Sequence, residues 1–299
     1  MVQFGRRLIA TALAAAGIFS ATWAMAESPT LDKIKRTGQI NLGYREASIP
    51  FSYLGGDAKP IGISLDLCAA IVEKIKSDLK LPKLEVVYTS VNGSNRIPLI
   101  QNGTVDIECG GTSSSAARLK QVAFTVATFV SSARWLTKTS SGIKSVQDLK
   151  GKTVVVTQGS NAVGFAMGIK AKGVDFNIVQ AKDHAESMLM LQTDRAAAFM
   201  EDDILLASFR ARQPNPSEYG LLPETYDLVP YGLMLRREDP EFKAVADGVI
   251  KQMMASGEFT KLYTKWFESP IPPNGENLQF PMSDQLKARV ANPSDSIEF

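Results

Sequence analysis

Histidine and cysteine are nearly missing from this chain: one histidine, His184, and two cysteines, Cys68 and Cys109, in 299 residues. So few His and Cys side chains leave no ligand set of the zinc-cluster kind. A hydrolase triad would have to use His184, with no Gly-x-Ser-x-Gly turn to present its serine. Gly151-Lys152-Thr153 has the ending of a phosphate loop, but the glycine that loop requires at position 146 is a valine. Charge of one sign is not in excess either: 33 Lys and Arg face 31 Asp and Glu. A balanced surface argues against nucleic acid as the partner, which needs a basic face. Beyond the N-terminal segment no run of 18 apolar residues occurs, so nothing there reads as a membrane span.

What is present begins with an export signal. Arg6 and Arg7 supply a charged start, Leu8 to Phe19 an apolar stretch too short to span, and Ala24-Met25-Ala26 a small-x-small cleavage site. Cleavage after residue 26 removes two arginines and no acid. It leaves 273 residues with 31 basic and 31 acidic side chains, enough for two α/β lobes with cores of their own. No cysteine follows the cleavage site to carry a lipid, so the expectation is a protein free in the periplasm. There Cys68 and Cys109 can pair, or lie buried separately as small apolar side chains.

Along the chain, strand-like and helical patterns alternate. A helix over Leu31–Thr37, stopped by Gly38, precedes strand Ile40–Tyr44. A helix capped by Ser64 or Asp66 runs to about Leu79, with Leu67, Ile71 and Ile75 on one face. Strand Leu84–Tyr88, helix Asn95–Gln101 and strand Thr104–Cys109 follow. After Trp135 come strands at Thr153–Val156, Val174–Val179 and Ala196–Met200, separated by helices Ser160–Lys172, Ala185–Leu191 and Asp203–Arg212. A returning strand over Asp227–Arg236 leads to helices Phe242–Met254 and Phe259–Phe267, and the tail past Val290 is expected to fray. This order predicts an α/β protein with mainly parallel sheets covered on both faces.

Residues 109–125, CGGTSSSAARLKQVAFT, carry the strongest chemical signal. Gly110-Gly111 at a strand end, the hydroxyls of Thr112, Ser113 and Ser114, and Arg118 in a first helical turn make a cradle for a carboxylate. An ordinary strand–turn–helix with a solvated arginine would read the same way from spacing alone.

That segment, with LKGKTVVVTQGSNA (149–162) and YGLMLRRED (231–239), resembles the extracellular solute-binding proteins of amino-acid ABC importers. Collinear matches also include GYREASIPFSY (43–53), NRIPLIQNGTVDIECGG (95–111), AKDHAES (181–187), MEDD (200–203) and SPIPPNGENL (269–278), nearest to the members that carry acidic amino acids. The resemblance implies a type II two-lobe periplasmic-binding-protein fold, its two mainly parallel sheets joined by two hinge strands. Residues 27–133 and 230–299 would form lobe 1 and residues 134–229 lobe 2. It implies a monomeric receptor without cofactor or metal, not an enzyme, binding L-glutamate and/or L-aspartate. Its partners would be an inner-membrane permease and that permease's ATPase. By position it assigns Arg118, Ser113 and the Gly111 backbone to the α-carboxylate and Asp202 to the ammonium. Thr157 and Ser160 would close from lobe 2, and Arg45, Arg96 and His184 would meet the side-chain carboxylate. Three arginines against Asp202 sum to about +2, which suits a ligand of charge −1. Read without the resemblance, Asp202 also serves as a helix N-cap, and Arg45 and Arg96 read first as surface arginines. A receptor for glutamine or another dicarboxylate, and a cyclohexadienyl-dehydratase-like enzyme on the same fold, are the competing expectations. Two departures from the family pattern, Gly93 where a serine is usual and Gly111 where another is common, bear on the choice of acid.

Overall fold

The computed structural model describes Met1 and residues 28–299. The expected export signal lies outside the described residues. Helix α1 (Pro29–Thr37) feeds strand β1 (Gln39–Tyr44), and α2 (Ile63–Asp78) leads to β2 (Glu85–Ser90). After α3 (Arg96–Gln101), β3 (Ile107–Glu108) and the single turn α4 (Ala116–Leu119), β4 (Ala123–Phe124) reaches the long strand β5 (Phe129–Lys138). Next come β6 (Thr153–Thr157), α5 (Ala162–Ala171), β7 (Asn177–Ala181), α6 (His184–Gln192), β8 (Ala198–Asp202), α7 (Asp203–Ala211) and β9 (Tyr219–Leu221). The chain returns through β10 (Leu228–Tyr231) and β11 (Met234–Leu235) to α8 (Pro240–Ser256), α9 (Glu258–Phe267) and α10 (Asp284–Ala291).

Two sheets result. The first has the order β2-β1-β3-β11-β4, parallel from β2 to β3 and antiparallel at β11 and β4. The second has the order β7-β6-β8-β5-β9, with a parallel centre and β5 and β9 antiparallel. Strand β5 starts beside the first sheet and ends inside the second. Its opening residues pair antiparallel with β10, from Phe129 opposite Tyr231 to Ser132 opposite Leu228. These two strands are the crossing between the lobes.

The larger core gathers around Phe129. Its ring stacks on Phe267 with centroids 5.1 Å apart, meets Phe51 edge-on at 5.1 Å and lies 5.6 Å from Tyr231. Burial of each such aromatic stabilises by roughly 1.5–3 kcal/mol, which anchors the root of the crossing beside the first sheet. Phe51 and Tyr53 belong to this core.

Several sequence expectations are corrected in detail. Helix α2 is capped by neither Ser64 nor Asp66. Gly62 holds the N-cap, and the Ser64 hydroxyl instead donates to the Gly110 carbonyl at 3.0 Å. The returning strand is broken at Gly232-Leu233, where Leu233 exchanges hydrogen bonds with Thr125 and the chain passes from the crossing into the first sheet. The tail past Val290 is held. Ala127 N–H donates to the Ser294 carbonyl at 2.9 Å, and Lys243 pairs with Asp295 at 3.0 Å. Of the two thiol outcomes, the structure has the Cys68–Cys109 disulfide, tying α2 to the strand end that precedes Gly110.

Candidate functional site

Each residue proposed for the site stands where an open sheet delivers it: just past a strand's carboxyl end or on the first turn of a helix. Arg45 follows β1, Gly111 and Ser113 follow β3, and Arg96 and Arg118 sit in the first turns of α3 and α4. Opposite them, Thr157 ends β6, Ser160 precedes α5, His184 opens α6 and Asp202 ends β8. All nine line one cavity between the two sheets. Gly93, Gln158, Asn161, Glu201 and Leu205, which sequence reading did not propose, line it too.

The three guanidiniums are buried, at 3%, 3% and 7% exposure for Arg45, Arg96 and Arg118. Arg118 Nη1 donates to the Ser113 carbonyl at 2.6 Å and its hydroxyl at 2.8 Å, while Nη2 reaches across to the Gly159 carbonyl at 2.8 Å. Arg96 donates to Thr112 Oγ1 at 2.5 Å and to Gly159 at 3.2 Å. Thr112 in turn donates to Glu108, whose carboxylate lies 3.9 Å from Arg96. Arg45 is different. Among the described residues its guanidinium has neither a hydrogen-bond acceptor nor an ion-pair partner, although it lines the cavity. Burial, then the neighbouring Arg96, pulls Arg45 down to about 10 and Arg118 to about 9. Both shifts report positive charge crowded away from water.

On the other wall, the Asp202 carboxylate accepts a hydrogen bond from the buried Tyr231 hydroxyl and makes no side-chain cap on α7. Burial and the adjacent Glu201 raise it to about 7, against the pull of Tyr231. His184 Nδ1 sits 2.9 Å from Thr157 Oγ1 and 3.3 Å from Glu201. Burial holds its imidazole below the ordinary value, against the attraction of Glu201. Among the described residues no cluster of three or more His, Cys, Asp or Glu side chains is arranged to hold a metal.

The buried carboxylates revise the charge argument. Glu108 and Glu201 are 0% and 2% exposed, so three guanidiniums face three carboxyls rather than one. The attraction for an anion is therefore local, concentrated at the unpartnered Arg45, and does not come from a net positive cavity. A sequence signal existed for Glu108, which lies inside the predicted strand Thr104–Cys109, where a carboxyl covered on both faces is costly without a cation; Glu201 falls one residue past the predicted strand Ala196–Met200. The two departures also find reasons. A Cβ on Gly111 would lie 2.9 Å from the Phe51 ring, so the aromatic core excludes a side chain there. Ser94 does not supply the missing hydroxyl of Gly93, because it is exposed and bonded to Asn92.

The sequence matches the family described as bacterial extracellular solute-binding proteins, family 3, over residues 40–269. It is 48% identical over 292 residues to the L-glutamate/L-aspartate-binding protein of Pseudomonas aeruginosa, covering 96% of each chain. It is 42% identical over 289 residues to the glutamate/aspartate import solute-binding protein of Escherichia coli, again with 96% of each covered. Among solved structures, ArgBP from T. maritima superposes with a TM-score of 0.70 at 23% identity, covering 79% of this chain and 98% of that one. An ancestral amino acid-binding protein, a precursor of cyclohexadienyl dehydratase, superposes at 0.68 with 26% identity, covering 81% and 100%. A two-lobed α/β scaffold with buried arginines at the cleft, matched along nearly the whole chain by import binding proteins, leaves one conclusion: this chain belongs to the family 3 bacterial extracellular solute-binding proteins.

Proposed function

We propose that this protein binds L-glutamate and/or L-aspartate between its lobes and hands it to the membrane permease of an ABC importer, driven by a cytoplasmic ATPase. It is a binding component, not an enzyme. The observation that carries the ligand assignment is Arg45, a buried guanidinium facing the cavity with no protein acceptor among the described residues. A guanidinium so placed needs a carboxylate to offset its desolvation, and the fork of arginine fits one bidentately. Arg118 with Ser113 and the Gly111 N–H take the α-carboxylate, and Asp202, oriented by Tyr231, takes the ammonium. Thr157 and Ser160 close from the second sheet, while Arg45, Arg96 and His184 take the side-chain carboxylate. The names of the relatives support an acidic amino acid, and the local positive character beside Arg45 and Arg96 disfavours a cationic one.

Residues 27–133 with 230–299 constitute lobe 1 and residues 134–229 lobe 2, a division supported by the positions of β5 and β10. Export to the periplasm, with removal of the first 26 residues, is supported by Arg6, Arg7, the apolar Leu8–Phe19 and Ala24-Met25-Ala26. The protein acts as a monomer. Closure on ligand follows because only the closed arrangement lets both lobes touch it. Calorimetric titration of ligand-stripped protein with glutamate, aspartate, glutamine, asparagine and succinate tests the reading. Micromolar binding, about −8 kcal/mol, is expected for one or both acids, and no heat with either ends it.

A further inference from the structure

Two glycines face each other across the cleft. A Cβ built on Gly93 would lie 2.0 Å from the Gln158 carbonyl oxygen, and one built on Gly159 would lie 2.3 Å from the Gly93 oxygen. The obstructing atoms are backbone on both sides, so no side chain can swing away. Neither backbone yields easily. Asn92 Oδ1 accepts from the Ser94 and Asn95 amides, and the Asn95 side chain accepts from Asn92 N–H, which fixes the first loop. The second turn is fixed by Gln158 N–H on the Ala181 carbonyl at 2.8 Å and Ser160 N–H on Thr157 at 3.1 Å.

We infer that the Gly93–Gly159 apposition is the stop that sets how far the lobes close, making Gly93 an affinity- and specificity-determining residue. The inference rests on the reading of the cleft as an acidic amino-acid site. Atoms in ordinary contact stand about 3.5 Å apart, so any side chain at position 93 forces the lobes apart by more than about 1 Å at that point. Three hydrogen bonds span the same gap: Arg118 and Arg96 to the Gly159 carbonyl, at 2.8 and 3.2 Å, and Asn161 Nδ2 to Ser113 Oγ at 2.9 Å. Parting of that size carries them out of bonding range. The guanidiniums then lose their anchor on the second lobe, and a ligand must reach further to touch both walls. The shorter acid suffers more.

Gly93 is a clean position for the test, because its φ lies outside the left-handed region and alanine fits its own backbone. Wild type and Gly93→Ala are titrated against all twenty standard amino acids, with stopped-flow rates for those that bind and a thermal midpoint for each protein. Gly93→Ala is expected to bind glutamate at least tenfold more weakly and aspartate more weakly still. The loss should lie in dissociation rate, with association within twofold, since encounter precedes closure. Gly159→Asn loads the contact from the other lobe with a residue that accepts positive φ, and it should reproduce the loss if Gly93→Ala melts early. Affinities within twofold of wild type in both variants overturn the stop. So does a loss confined to the association rate. Should wild type bind another amino acid and neither acid, the functional reading falls, and the variant-to-wild-type ratio for that amino acid decides the stop. Absence of all binding by wild type overturns both.

Discussion

Replacing or titrating Asp202 should reveal the ammonium site directly. Its carboxyl is raised to about 7, first by burial and then by Glu201, while Tyr231 opposes the shift. A ligand ammonium needs the ionised carboxylate, so below pH 7 binding must first expel a proton. Each pH unit below that value costs about 1.4 kcal/mol, a factor of ten in affinity. Between pH 7.5 and pH 5.5 the affinity for glutamate or aspartate should fall about 25-fold, in a window where the ligand's own carboxylates stay ionised. Calorimetry in two buffers of different ionisation enthalpy should find nearly one proton released per ligand at pH 5.5 and none at pH 8. Tyr231→Phe removes the hydroxyl that holds the carboxyl down, so the fall should begin at higher pH. The slope should persist in His184→Gln and vanish in Asp202→Asn, which binds weakly throughout. Proton uptake at His184 would give the opposite sign. Affinity that is flat, or that rises on acidification from pH 7.5 to 5.5, would refute the assignment. In the ligand-free protein the same carboxyl acts in reverse. With its folded value above 3.8, it contributes stability that is complete below the unfolded value and is lost as pH climbs through 7.

Two further outcomes follow from the geometry. Arg45→Gln should weaken glutamate binding about a hundredfold or more, because the ligand's buried carboxylate loses its partner, while binding of the neutral amide glutamine changes much less. Equal losses for acid and amide in paired titrations would place Arg45 elsewhere in recognition. Cys68→Ser/Cys109→Ser should unfold at lower urea, with a loss near 4 kcal/mol for a loop of 41 residues, and a loss below about 1 kcal/mol would count against the loop-closure estimate.

Much of the scaffold was legible because period and punctuation agree. Leu67, Ile71 and Ile75 fall on one helical face and are all buried, and Gly38 ends α1 as the sequence predicts. Cap identity failed at α2, since Ser64 was drawn to the Gly110 carbonyl by a tertiary contact that no local pattern encodes. The ladder also starts later than apolar content suggests at Asn177–Ala181, because Val174 and Phe176 are core residues upstream of the pairing. At the site, all nine proposed residues share the cavity. Convergence, however, depends on strand ends far apart in sequence, and only the family resemblance supplied it. Glu108 was overlooked although its strand was expected to be covered on both faces, and Glu201 because the predicted strand stops at Met200, short of the observed end of β8 at Asp202. Gly93 looked like a lost hydroxyl. Its meaning depends on Gln158 and Gly159, 65 and 66 residues later in the chain.

The crossing made by Phe129–Ser132 and Leu228–Tyr231 is a two-stranded ribbon, and such ribbons accept a wider range of twist than broad sheets do. Opening can thus be spread as a few degrees over each of several rungs, with every rung's bonds kept, instead of a swing about one joint. Tyr231 stands on that ribbon while its hydroxyl grips Asp202, so torsion in the axle is passed directly to the carboxylate proposed for the amine.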